Sequence, residues 1–246
     1  NGTGTNYAAG ATWAFSADTT LYAIWTNPVI NLDASDASSL PTSGASWTSI
    51  APGTSSLSST ALGNQTYTSG PPKSLALPER GYVNMGANND ANISGAITVE
   101  VWAKCSAYRA GNYWNILASK WFSDATTGAG GTAAQDWHFG IYGDKLNLYT
   151  TNSSYKAGAT TVTSSSCSTW HQYAFTIDPA NNNTLTLYID GVPDGTFTGV
   201  THTTNTSSIL MIGDGRVAVS FQGNYSKFRM YNTALTSAQM AQNFTS

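Results

Sequence analysis

Charge is the first thing this chain is short of. Only 9% of its 246 residues are Asp, Glu, Lys or Arg, against about 25% in an average globular protein. The net charge is −3 and the ten Lys and Arg residues are scattered. No basic stripe is available to neutralise phosphates, which argues against a nucleic-acid partner. No run of about 18 apolar residues occurs, so nothing here inserts into a membrane as a helix. The chain opens at Asn1 with no methionine, charged n-region or apolar h-region, which we expect of a processed product or an excised fragment. Helix signals are nearly missing, and there are only two glutamates, Glu79 and Glu100. Cysteine is scarce too: Cys105 and Cys167 either pair, as in an oxidising compartment, or stay as two buried thiols.

What fills the space left by charge is Thr, Ser, Gly, Ala and Asn, with 41% hydrophobic residues still available for a core. The apolar residues recur with a period of two. Ile97, Val99, Val101 and Ala103 alternate with Thr98, Glu100, Trp102 and Lys104; Tyr173, Phe175 and Ile177 do the same, as do Leu185, Leu187 and Ile189, and Phe228 and Met230. Each run predicts a strand with one face on a core. Asp178-Pro-Ala-Asn-Asn-Asn and Asp190-Gly191 predict the turns between strands. The fold class expected is all-β: a two-sheet antiparallel β-sandwich or jelly roll. One helical turn is predicted after Asn232, with Met240 and Phe244 on one face. Residues 34–72 are weakly periodic, and 122–135 form a long small-residue loop.

From about residue 29 onward, an ordered set of segments resembles the laminin-G-like, concanavalin A-like lectin/glucanase superfamily. They are VINLDASDASSLPTSGASW (29–47), ITVEVWAK (97–104), STWHQYAFTID (168–178), TLTLYIDG (184–191), LMIGDG (210–215) and FQGNYSKFRMYNTALTSAQM (221–240). The resemblance implies a jelly roll with one concave sheet, in a superfamily of glycan-binding modules, adhesion domains and some β-glucanases. Residues 1–26 are similar to the closing half of an internalin-type B-repeat, carried by Tyr7, Gly10 and Leu21-Tyr-Ala-Ile-Trp25. We therefore divide the chain into a β-segment at 1–28 and a lectin-type sandwich at 29–246. A half-module leaves Trp13, Phe15, Leu21 and Trp25 as a candidate self-assembly surface, either folded onto its own sandwich, left by excision, or inserted into a neighbouring copy to build a fibre.

Catalysis is not expected. Superfamily glucanases need two carboxylates on one strand, and neither Glu79 nor Glu100 has a second acid so placed. His138, His171 and His202 have no ligand or triad spacing. Glu100 and Arg229 are expected to form a structural cross-strand pair, because the strands that carry them are neighbours in proteins of this resemblance. One structural calcium is the cofactor reading, with oxygen ligands from Asp33, Asp36, Asp90 and Asp214; the competing reading is that Asp33 and Asp214 cap turns. Glycan binding is read onto the aromatic cluster around the 122–135 loop: Tyr113, Trp121, Asp136 and Trp137, with Trp114, Asn147 and Tyr149 close in sequence. Trp121 and Tyr113 are the expected exposed rings, while Trp137 has the alternation of a core residue. Sequons start at Asn64, Asn92, Asn152, Asn182, Asn205 and Asn224 (and at Asn1 and Asn243), which are candidate glycosylation positions.

Two functions follow. One is a secreted bacterial surface-adhesion module binding a polysaccharide or cell-surface glycan. The other is a subunit of an extracellular filament whose partners are copies of itself.

Overall fold

The period-two runs become strands because β-branched and aromatic residues pack on a pleated surface, and the turn residues between them set where each strand ends. In a computed structural model of the chain, the described residues are 26–41, 46–52, 59, 61–62, 65–122, 135–213 and 221–245. The strands run in order as β1 (Ile30–Asp33), β2 (Ala61–Leu62), β3 (Thr66–Thr68), β4 (Ser74–Leu77), β5 (Tyr82–Gly86), β6 (Ile97–Ala107), β7 (Asn115–Lys120), β8 (Trp137–Tyr142), β9 (Lys145–Thr150), β10 (Ser153–Thr161), β11 (His171–Asp178), β12 (Thr184–Ile189), β13 (Val192–Phe197), β14 (Leu210–Gly213) and β15 (Gln222–Tyr231), followed by the helix α1 (Ser237–Thr245). The candidate self-assembly residues Trp13, Phe15, Leu21 and Trp25 lie outside the described residues, as does most of the 122–135 loop.

Two antiparallel sheets form a sandwich. The first has the order β13-β12-β11-β6-β15-β4-β3, and β1 also pairs with β15; the second runs β10-β9-β8-β7-β14-β5-β2. Between them lies one core, including Trp47, Trp137, Phe139, Phe175, Leu148 and Phe228. Cys105 and Cys167 are bonded, with Cα atoms 5.3 Å apart, which ties the end of β6 to the short 3-10 turn at Ser166–Ser168 that precedes β11.

The Asp190-Gly191 turn joins β12 to β13, with both residues at positive φ, 53° and 74°. That is the type I′ geometry the dipeptide predicts. A side chain at 191 would stand 2.8 Å from the Ala241 Cα, so this glycine also lets α1 settle against the turn. The helix starts with a capping box: Thr236 Oγ1 accepts from the Gln239 N–H (3.3 Å) and Gln239 Oε1 accepts from the Thr236 N–H (2.9 Å). Met240 is fully buried against Ala174, Tyr188, Tyr231 and Leu235. Phe244, expected on the same face, is instead 41% exposed; in the last turn the inward contact is made by Asn243, which reaches Glu100 and Tyr231.

Under α1 lies Glu100, fully buried on the outer face of the first sheet. Register places Arg229 opposite it, but the carboxylate's hydrogen bonds come from elsewhere: Asn243 Nδ2 (2.8 Å), Gln172 Nε2 (3.3 Å) and the Tyr231 hydroxyl (3.3 Å). Arg229 Nε donates to Asn31 Oδ1 at 3.2 Å, and its guanidinium sits 5.2 Å from the Trp102 ring. Burial pushes the Glu100 carboxyl up to about 6, with Asn243 and Arg229 holding it from going higher. The sign follows from linkage. A folded-state value above the unfolded 4.5 stabilises the protein most at low pH, and this contribution is lost as pH rises through about 6. Between about pH 4.5 and about pH 7.5 the wild-type chain should lose about 2 kcal/mol from this group. Glu100→Gln should remove that loss, as read from urea unfolding at the two pH values.

Candidate functional site

The second sheet carries its own set of aromatic residues on the side away from the core. On β8, Trp137, Phe139 and Ile141 face inward, so His138, Gly140 and Tyr142 face out. On β9, Leu146 and Leu148 are core residues, so Asn147 and Tyr149 face out. Register aligns His138 with Tyr149 and Gly140 with Asn147, and Ser119 with His138. The rings close a circuit. Trp114 lies 5.1 Å from Tyr142, Tyr142 stacks on Tyr155 at 5.1 Å, and Tyr155 lies 4.8 Å from Tyr149. Tyr149 is 5.1 Å from Trp121, Trp121 is 4.2 Å from His138, and His138 is 5.9 Å from Trp114. Tyr155 is 49% exposed, and Trp114, Tyr142 and Tyr149 are partly exposed.

The loop before β7 frames one end of this circuit. Asp144, in the β8–β9 turn, accepts from the Tyr108 hydroxyl (2.6 Å) and the Gly111 N–H (2.7 Å), and these two bonds hold its carboxyl below the usual range. Tyr113 stands 55% exposed in that loop, with the Arg109 guanidinium 5.8 Å from its ring. Arg109 also reaches Glu79 at 3.3 Å on the surface.

The candidates read from sequence separate on this map. Tyr113 is exposed as expected. Trp121 is not: it is 6% exposed, packed with Phe122, Ile209 and Met211, because β14 brings a second apolar group over that end of the sheet. Trp137 is 1% exposed, edge-on to Phe175 at 5.6 Å, and its phase on β8 turns it into the core. Asp136 is buried in a charged network rather than facing a ligand. It lies 3.8 Å from Lys120 Nζ and 3.4 Å from His202 Nδ1, and His202 Nε2 lies 2.9 Å from the Gly95 carbonyl. Lys120 also donates to the Asn205 carbonyl. Burial raises the Asp136 carboxyl and lowers the Lys120 ammonium. Burial pulls His202 down, but Asp136 and the Gly95 carbonyl outweigh it and leave the imidazole raised.

The aspartates proposed for calcium are spread over different turns. Asp33 Oδ1 accepts from the Ser35 N–H and Asp36 Oδ1 from the Ser38 N–H, which is turn capping, and Lys227 lies 3.8 Å from Asp33. Asp90 lines a cleft of about 390 Å³ with Asn89, Asn92 and Asn232, and Asp214 lies outside the described residues. Among the described residues, no group of three His, Cys, Asp or Glu is placed to share a metal. Of the sequons, Asn152 and Asn182 are exposed in turns. Asn92 is partly buried, with its Oδ1 enclosed. Asn205 caps a turn through the Ser207 N–H, Asn224 donates to Ser74 Oγ, and Asn64 is outside the described residues.

A hydroxyl–imidazole–carboxylate chain does occur, with Thr169 Oγ1 3.0 Å from His171 Nε2 and His171 Nδ1 2.7 Å from Asp190 Oδ2. It is not arranged as a nucleophile and base. His171 Nε2 also faces the Ser166 carbonyl at 2.8 Å, so both ring nitrogens must carry protons to satisfy acceptors. The Asp190 hydrogen bond raises the imidazole, and a proton on Nε2 toward the Ser166 carbonyl leaves Thr169 facing a donor.

The sequence profile described as the concanavalin A-like lectin/glucanases superfamily matches residues 78–241. The chain belongs to this superfamily. No curated protein matches it by sequence. Solved structures share the fold at low identity. Domain 4 of AbnA, an extracellular arabinanase of Geobacillus stearothermophilus in complex with arabinotriose, superposes with a TM-score of 0.53 and 17% identity, covering 73% of this chain and 81% of that one. The carbohydrate-binding module of the Ruminococcus gnavus IT-sialidase, bound to α2,3-sialyllactose, gives 0.54 and 14%, covering 70% and 96%. The binding domain of botulinum neurotoxin DC in complex with SialylT gives 0.62 and 11% over 89% of this chain, which spans 50% of that domain. No described helix of this superfamily member is long and apolar enough to cross a membrane.

The Lys120–Asp136–His202 network gives a direct test of its structural role. Asp136→Asn leaves the fully buried Lys120 ammonium without its carboxylate, and thermal or urea unfolding should show a loss of about 3–5 kcal/mol.

Proposed function

We propose that this superfamily member is a non-enzymatic carbohydrate-binding module of an extracellular surface protein, taking a neutral oligosaccharide on the outer face of the second sheet. The observation that carries this reading is the circuit of Trp114, Tyr142, Tyr155, Tyr149, Trp121 and His138, most of it on a solvent-facing sheet surface. Aromatic side chains bring large apolar area with little rotamer entropy to lose. A contiguous patch of them, with amides alongside, matches a sugar ring, whose C–H face is apolar and whose rim carries hydroxyls. The circuit holds no carboxylate, ammonium or guanidinium, and nearby Arg109 is paired with Glu79, which favours a neutral ligand over an acidic one. The sugar-bound arabinanase domain and sialidase module support carbohydrate binding by this fold, the first with a neutral saccharide and the second with an acidic one.

An adhesion role on a bacterial surface is the setting we propose for such a module. The filament reading rests on residues 1–26, of which 1–25 lie outside the described residues, and gains no observation here. The test is a neutral-glycan array followed by calorimetry on any hit. Trp114→Ala and Tyr142→Ala should each weaken binding at least tenfold, on the scale of one lost stacking contact, with unchanged melting temperatures. Trp102→Ala, on the opposite sheet, should bind as wild type. Equal binding by all three variants would sink the assignment of the face.

A further inference from the structure

The ring circuit surrounds two positions that carry no aromatic group. Gly140 and Asn147 are register partners on the outer face, between Tyr142 and His138 on β8 and beside Tyr149 on β9. A side chain at 140 would meet the Asn115 carbonyl oxygen at 2.4 Å and the Ile116 Cα at 2.8 Å, so the bulged β7 backbone keeps this position bare. Asn147 faces outward on a solvent-side surface and yet is only 2% exposed. Tyr155 touches three rings of the circuit around the Gly140–Asn147 pair at once, Tyr142, Tyr149 and Trp114, at 5.1, 4.8 and 5.8 Å.

Asn147 is held on one side only. Its Nδ2 donates to the Tyr142 carbonyl at 3.1 Å and approaches the Lys145 carbonyl at 3.5 Å. Its Oδ1 is buried with no donor. Exchanging the amide's oxygen and nitrogen does not repair this, because the oxygen would then face two carbonyls. A buried acceptor without a donor is costly to maintain, and a ligand hydroxyl is the kind of donor that would complete it. Ser119 Oγ, on the same face beside His138, is likewise buried with no partner.

Tyr155 is mounted on an irregular edge. β10 is the outermost strand of its sheet, and its register with β9 shifts between Ser153 and Lys156, the interval that contains Tyr155. A ring attached there can leave its three contacts without breaking a regular ladder.

We infer that Tyr155 is a displaceable cover and Asn147 the polar anchor of the sugar site, an inference that rests on the carbohydrate reading of this face. In the closed form Tyr155 lies across Tyr142 and Tyr149 and shields the Asn147 carboxamide. A neutral saccharide displaces the ring, stacks on Trp114, Tyr142 and Tyr149, and donates one hydroxyl to Asn147 Oδ1. The ligand class is accordingly a neutral oligosaccharide with a hydroxyl donor beside an apolar ring face.

The experiment uses arabinotriose, xylotriose, cellotriose and maltotriose as probes, titrated into wild type, Tyr155→Ala, Trp114→Ala and the double variant Tyr155→Ala/Asn147→Ala. Tyr155→Ala should bind the best probe at least about tenfold more tightly, since the ring contacts of Tyr155 no longer have to be broken. Adding Asn147→Ala should reverse the gain. The Asn147 13Cγ resonance of the wild-type protein should shift on binding, a readout that does not depend on a variant folding. If Trp114→Ala loses binding while Tyr155→Ala also binds more weakly and the 13Cγ resonance stays still, the face binds sugar but the cover and anchor are wrong. If neither wild type nor Tyr155→Ala binds any probe, the carbohydrate reading falls with them.

Discussion

The antiparallel pairing of β6 with β15 joins residues 97–107 to residues 222–231, and most of the first sheet is assembled on these two strands. β15 carries β4 along the first part of its free edge and β1 along the second, while β6 carries β11 and, through it, β12 and β13. Loop-closure entropy sets a cost for joining segments so far apart in sequence. The cost is met by a long ladder whose inner face is apolar throughout: Val99, Val101, Phe228 and Met230 are all fully buried. The register also decides what the outer face carries. A slip of one residue would turn Glu100 and Trp102 into the core.

Once that sheet is in place, the two outer faces of the sandwich take different roles. On the first sheet, α1 covers Ala174, Tyr188 and Tyr231, and the space beneath it is closed around the Glu100 carboxyl. On the second sheet, the described residues place no helix, and the aromatic side chains themselves form the surface. The buried network of Lys120, Asp136 and His202 secures the loop after β13 against β7. This keeps charge at the end of the sheet and out of the ring circuit. The division of labour explains how a chain so poor in charge still keeps a specific polar interior.

The strands were legible because the period-two pattern is local: β6, β11, β12 and β15 each announce their inner face within their own residues, and Asp190-Gly191 announces its turn. The family resemblance was legible in the same segments. The binding surface was harder to read. Trp137 betrayed its burial by alternating with Phe139 and Ile141, whereas Trp121 lies beyond the end of β7 and is buried by Ile209 and Met211 from a strand about 90 residues away. Tyr142 and Tyr155 were missed although a signal existed. Tyr142 is out of phase with the three apolar residues before it, and so faces outward; Tyr155 became relevant only when β10 folded beside β9. Phase along one strand finds outward aromatics, but only register across strands shows which of them meet.

Backbone and side-chain chemical-shift mapping of the folded chain with a bound neutral oligosaccharide addresses the central claim most directly. The account predicts that the largest changes fall on Trp114, Gly140, Tyr142, Asn147 and Tyr149, with Trp102 of the opposite sheet unmoved. Changes centred on Trp102, or on the cleft lined by Asn89, Asp90 and Asn232, would place the site elsewhere and contradict it.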